Sequence, residues 1–141
     1  MFSEDMKAVA LIRKNRPEWQ AGKLNGVGGK IEPNEDFSAA MVREFREEAG
    51  RETTMDQWRH YGQMIGMNDD NEGAFKCQIF ASTMPGAAIY RLKGQESEQI
   101  EIISIEKLCE NEMIENLHWL ILLALDHLDD GRPTFVDIGY K

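Results

Sequence analysis

The chain has 141 residues, 42% of them hydrophobic and 29% charged. That balance fits one folded domain over residues 1–141 and excludes a collagen, a coiled coil and a disordered chain. Sixteen basic residues stand against 25 acidic ones, a net charge of −9, which argues against duplex nucleic acid as a partner because phosphate neutralisation supplies most of that affinity. The first apolar run, residues 8–12, is shorter than a secretory h-region and is followed by basic residues. The longest, residues 117–125, is broken by His118 and is too short to span a bilayer. A cytoplasmic protein without a membrane partner is expected. Cys77 and Cys109 form no CxxC pair and read as small buried residues in a reducing compartment.

In chain order, residues 6–13 (MKAVALIR) are apolar enough for a central strand. Residues 15–23 carry Pro17 and Gly22 and read as loop. Residues 24–31 (LNGVGGKI) hold three glycines and read as short strands around a tight turn. Residues 34–50 form the clearest helix, with Asn34 as its cap, acidic residues in its first turn and Gly50 as its stop. Strands are expected at 58–67, 75–83, 87–92, 100–105 and 134–138, and a second amphipathic helix at 116–128. The acidic loop at 68–73 lacks the glutamate an EF-hand requires, since Ile79 stands in its place. His60, His118 and His127 share no metal-ligand spacing. The mixture predicts an α/β protein with a mixed sheet packed between helices.

On a wheel of about 100° per residue, Met41, Val42, Phe45 and Ala49 form the core stripe of the first helix. Glu44, Glu47 and Glu48 fall in an adjoining sector rather than opposite the core. Like charges at i and i+4 repel by a few tenths of a kcal/mol. A hard divalent cation turns that cost into a gain, and Mg²⁺ takes oxygen ligands. Gly28 and Gly29, just upstream, let backbone approach a ligand closely.

Read whole, residues 29–51 (GKIEPNEDFSAAMVREFREEAGR) resemble the Nudix box, Gly-x5-Glu-x7-Arg-Glu-apolar-x-Glu-Glu-x-Gly-apolar. Gly29, Glu35, Arg43, Glu44, Phe45, Glu47, Glu48 and Gly50 stand in register. Arg51 departs, holding a position where the family has an apolar residue. The resemblance implies the Nudix α/β/α sandwich and a metal-dependent hydrolase of a nucleoside diphosphate linked to another moiety. It implies Mg²⁺, with Mn²⁺ as an alternative. Glu44, Glu47 and Glu48 would hold the metal, with the Gly28 carbonyl as a further ligand. Glu44 or Glu47 would activate the attacking water. Glu35 and Arg43 would form an ion pair that holds the loop against the helix. Lys30 would touch a phosphate. Family members recruit one more acid from outside the box. Glu96, Glu98 and Glu101 are on offer, and Glu101 is favoured because it begins an apolar strand-like run.

The secondary signatures of the ADP-ribose, dinucleoside-polyphosphate and coenzyme A subgroups are missing: no proline stands at 65–67, Tyr61 falls short of the expected tyrosine, and residues 13–27 lack the arginine-rich pattern. A MutT-like (d)NTP pyrophosphohydrolase, releasing a nucleoside monophosphate and pyrophosphate, is what remains. In MutT-type members an asparagine ahead of the C-terminal helix can hydrogen-bond a purine edge, and the resemblance gives that role to Asn116, whose amide both donates and accepts. Trp119, one turn on, would stack on the base. The alternative is a nucleotide sensor that binds without hydrolysis. The partner is a small nucleotide, and the chain is read as a monomer or homodimer.

Overall fold

The computed structural model describes residues 1–67, 73–95, 98–129 and 135–140. Two short strands open the chain, β1 (Phe2–Ser3) and β2 (Ala8–Arg13), and β3 (Leu24–Asn25) follows a long loop. Next come helix α1 (Phe37–Ala49), strands β4 (Arg59–Met67), β5 (Ala74–Ala81) and β6 (Thr83–Met84), and the one-turn helix α2 (Gly86–Ile89). Strand β7 (Gln99–Ser104), helix α3 (Leu117–Asp129) and strand β8 (Val136–Tyr140) complete it.

β2 is the organising strand. β7 runs antiparallel along its whole length, from Ala8 opposite Ser104 to Arg13 opposite Gln99. On its other edge β1 pairs with its beginning and β3 with its end. β6 lies parallel to β1, so the sheet is mixed. A second mixed sheet has the order β5-β4-β8, with β4 antiparallel to β5 and parallel to β8.

Side chains alternate between the two faces of a strand. Val9, Leu11 and Ile103 enter one apolar cluster with Leu117, Ile121 and Ala124 of α3. Ala10, Ile100 and Ile102 enter another with Phe45 and Ala49 of α1. The sheet is therefore covered by a helix on each face, which is why β2 reads as an unbroken apolar run. This is the expected α/β/α arrangement. Phe45, fully buried, meets Trp58 edge-on with ring centroids 5.0 Å apart.

Four local expectations are corrected. Helix α1 is capped by Asp36, whose Oδ1 accepts from the Ser38 N–H at 2.8 Å, and not by Asn34. Asn34 instead takes a left-handed turn (φ 67°), and the Glu35 N–H returns to the Glu32 carbonyl. Residues 87–92 are not a strand. Pro85 starts α2 there, and Ile89 and Leu92, three apart, both point into the α1 cluster at helical rather than strand spacing. Within 24–31 only Leu24–Asn25 is strand. Cys77 and Cys109 are free but exposed, not buried; Cys77 lies on β5, at the edge of the second sheet among the described residues. Among the described residues no helix is long and apolar enough to cross a membrane. The rejected acidic loop falls largely outside the described residues, as does Glu96.

Candidate active site

Helix α1 is fixed by Phe45 and Ala49, and this aims the next sector of the helix along the end of β2. Glu44, Glu47 and Glu48 line one side of an open cleft of about 610 Å³. Ile12 and Lys14 line its floor, and Gly28, Gly29 and Lys30 its rim. The helix stops at Gly50 in a left-handed conformation (φ 65°). Its last turn is clasped from outside, because the Gln95 N–H donates to the Glu48 carbonyl at 3.1 Å. Gln95 and Glu98 both line the cleft.

Arg43 organises the upper carboxylates. Its Nε and Nη2 donate to the two oxygens of Glu35 at 2.8 and 2.9 Å, the bidentate geometry guanidinium favours. Its Nη2 also reaches the Lys30 carbonyl at 2.9 Å, and its Nη1 donates to Glu44 at 2.7 Å and Glu47 at 3.2 Å. The expected Glu35–Arg43 pair is thus present, and it ties the glycine loop to the helix. The Arg43 hydrogen bonds, with the Glu32 N–H, hold the Glu35 carboxyl down at about 2. Gly29 leaves room for Glu44: a Cβ there would meet the Glu44 carboxylate where it now lies.

Glu48 and Glu98 are arranged differently. Each has one oxygen on a backbone N–H: Gly28 donates to Glu48 at 2.9 Å, and Asn15 donates to Glu98 at 2.9 Å. The remaining oxygens share the Lys14 ammonium, at 3.3 Å from Glu48 and 2.7 Å from Glu98. Burial pushes the Glu48 carboxyl up despite these partners. At Glu98 burial acts the same way, but the Lys14 and Asn15 hydrogen bonds outweigh it and the carboxyl is lowered.

Not every expected residue reaches this place. Glu101 does not line the cleft. It is held by Arg13 in a two-point ion pair, with Nη2 to Oε2 at 2.8 Å. The reason is strand parity. Glu101 shares its face with Ile103, on the α3 side of the sheet, whereas Glu98 shares the parity of Ile100 and Ile102, on the α1 side. Lys14 follows the same rule, two residues beyond Ile12. That alternation was the readable signal for Glu98 and Lys14; the Asn15 and Gly28 N–H contacts had none. Asn116 and Trp119 also stand outside the cleft lining. Asn116 precedes α3, where Met113 pairs beside Leu24, and its Nδ2 contacts the Met64 sulfur at 3.5 Å. Its Oδ1 is buried without a hydrogen-bond partner. Trp119 is half-buried.

The cleft offers only hard oxygen acceptors from Glu44, Glu47, Glu48 and Glu98, the donor chemistry of Mg²⁺ or Mn²⁺. Among the described residues no three of the His, Cys, Asp and Glu side chains form a ready cage. Mg²⁺ completes its shell with waters and substrate phosphates, so the fit rests on the oxygen chemistry of the four acids. The residues present fit the ion.

A model of the NUDIX domain matches residues 1–128. The chain belongs to the Nudix hydrolase family. Solved structures agree at the level of the fold. A MutT structure from work on Aliivibrio salmonicida and Vibrio cholerae is 22% identical with a TM-score of 0.61, covering 90% of this chain and 92% of that one. A NUDIX-family hydrolase from Clostridium perfringens is 21% identical with a TM-score of 0.63, covering 87% and 91%. A C. elegans Ap4A hydrolase is 16% identical with a TM-score of 0.58, covering 87% and 88%. No curated protein sequence matches the chain. Nudix hydrolases act on small nucleotide substrates with divalent metals, and the site is read in those terms.

Proposed function

We propose that this Nudix protein is a Mg²⁺-dependent pyrophosphohydrolase of a (d)NTP, releasing a nucleoside monophosphate and pyrophosphate. The observation that carries the reading is the convergence of Glu44, Glu47, Glu48 and Glu98 on one cleft with a lysine at its floor and another at its rim. A triphosphate and these four acids repel one another. Bound divalent ions neutralise phosphate oxygens and make water more acidic. Glu44, Glu47, Glu48 and the Gly28 carbonyl would hold those ions. Glu47 is the most exposed of the three box acids, its side chain 50% accessible, and so is suited to accept the proton of the attacking water. Arg43 holds Glu44 in place, and Gly29 leaves room for it. Lys30, exposed on the rim, would steady a phosphate.

Asn116 would meet the base edge. A buried acceptor without a partner costs about 1–3 kcal/mol, and an N–H donor on a base edge would satisfy the Oδ1. Trp119 would then pack behind the base and not line the phosphate cleft.

The test is incubation with Mg²⁺ and a panel of canonical and oxidised (d)NTPs, ADP-ribose, coenzyme A and diadenosine polyphosphates. Pyrophosphate released from one or a few triphosphates, abolished by EDTA, is the expected result. Glu47→Gln should lower kcat by about 100-fold or more, the usual contribution of a positioned acid–base group, with its melting temperature retained. Release from ADP-ribose or diadenosine polyphosphates alone would overturn the triphosphate assignment. Tight nucleotide binding with no product would replace the enzyme by a sensor.

A further inference from the structure

Lys14 occupies an unusual position. Its side chain is only 15% accessible, as is that of Glu98, and Glu48 is 19% accessible. One ammonium serves both carboxylates. Its backbone is fixed, with the N–H on the Lys23 carbonyl at 3.0 Å and the carbonyl accepting from Gly22 at 2.9 Å. Only the side chain is free to relocate, and it carries a point charge on a flexible stem rather than a directional fork. The two carboxylates do not depend on it for their placement, because each is pinned by its own backbone N–H. The gap between Glu48 and Glu98 is a preformed cation position, and the protein fills it with its own cation.

We propose that Lys14 is an exchangeable counter-ion: it neutralises Glu48 and Glu98 in the nucleotide-free protein, leaves them when a divalent ion arrives, and moves its ammonium onto the phosphate chain. This inference rests on the phosphohydrolase reading above and names a residue that positions the substrate there. Without Lys14, Glu48 and Glu98 would keep only their backbone N–H partners and, at Glu98, the charge of Arg16, in a half-buried cleft, a costly arrangement. With it, the cleft is assembled before any ligand binds, and the charge displaced is returned to the anionic substrate within the same cleft. Lys14 thus acts on the metal as a competitor and on the phosphates as a partner. The two effects have opposite signs, whereas loss of a lysine that only supported the fold would weaken both.

The test uses the full chain and isothermal titration with two probes, Mn²⁺ alone and then inorganic tripolyphosphate at saturating Mn²⁺. Lys14→Met should bind Mn²⁺ about tenfold more tightly, the low end of what one unit charge a few ångströms away is worth near a surface. It should bind tripolyphosphate about tenfold more weakly for the same reason. Lys14→Arg, which keeps the charge, should stay within about threefold of the parent for tripolyphosphate. Unchanged or weaker Mn²⁺ binding by Lys14→Met overturns the exchange. Unchanged tripolyphosphate binding overturns the transfer to phosphate. Should Lys14→Met fail to fold without metal, its melting temperature in Mn²⁺ decides, because exchange requires that Mn²⁺ raise it more than it raises the parent's. Hydrolysis of the nucleotide panel by the unaltered protein is read separately. Its absence would remove the pyrophosphohydrolase reading while leaving opposite-sign shifts standing, and its presence with same-sign shifts would remove only the role of Lys14.

Discussion

The strands β2 and β7, with the residues adjoining their ends, carry two cation–carboxylate pairs, one residue apart on the β2 side and three apart on the β7 side. Arg13 holds Glu101 on the α3 face; Lys14 holds Glu98 on the α1 face. The first is a closed unit. A planar guanidinium takes both oxygens of one carboxylate, and a third N–H goes to the Gly22 carbonyl at 2.5 Å. The second is an open unit, in which one ammonium is divided between two acids that each keep a second anchor. Similar charges on adjacent residues thus give a clamp on one face and an adjustable site on the other. Which face a residue occupies, and whether its cation is saturated by one partner, separates scaffold from chemistry here.

Glutamine substitution at the two acids breaks this comparison most sharply. Glu98→Gln should lower kcat by about 100-fold or more, as expected when a positioned acid is removed from a reacting site. Glu101→Gln should leave kcat within about threefold and cost at most about 1 kcal/mol of stability, the range for a partly exposed ion pair. Steady-state kinetics and urea denaturation on both proteins check this. Equal losses of activity would mean that strand parity does not divide their roles.

The same parity explains what the sequence disclosed. The helix carrying Glu44, Glu47 and Glu48 was legible because its apolar stripe, acidic sector and terminal glycine all agree with one period, and the box spacing added the Glu35–Arg43 pair. The central strand was legible because both its faces are covered. Glu98 was harder. It lies one residue before β7, and Glu101 inside the apolar run looked the better acid until the alternation with Ile100, Ile102 and Ile103 assigned faces. Residues 87–92 fit either element because Ile and Tyr suit strands as well as a single helical turn, and tertiary packing of Ile89 and Leu92 decides between them. Asn34 and Asp36 are both good caps, and only the turn geometry chooses. No sequence pattern announces that Lys14 bridges two acids, because that contact joins positions 34 and 84 residues apart.

A smaller effect is expected on the rim of the open unit. Gly29→Ala places a methyl group where the Glu44 carboxylate lies. The obstacle is the end of a flexible side chain, so Glu44 swings away and the backbone stays. Displacing a reacting group by about 1 Å can cost up to 100-fold, and a loss of about 10-fold in kcat is expected here. The melting temperature should move by less than about 3 °C, since little buried area changes. A large drop in melting temperature with normal kcat would show that the glycine serves the turn and not the carboxylate.

The smallest effect separates the two kinds of carboxylate by the sign of their pH dependence. Glu35 belongs to the clamped kind. Arg43 brings its carboxyl from the ordinary 4.5 to about 2 in the folded protein. Its ionised form therefore favours folding above about pH 4.5, and the contribution is lost as the pH falls toward 2. Glu48 belongs to the cleft, and burial raises it. Its protonated form favours folding, so its contribution is present at low pH and is lost as the pH rises through the folded value. The stability lost in Glu35→Gln relative to the parent should shrink as the pH is lowered from 5 to 2. Glu48→Gln should gain on the parent as the pH is raised from 4 to 7. Urea titrations at each pH measure both differences. Parallel trends would mean that Lys14 and the Gly28 N–H outweigh burial at Glu48, and that the cleft acid is clamped as firmly as the structural one.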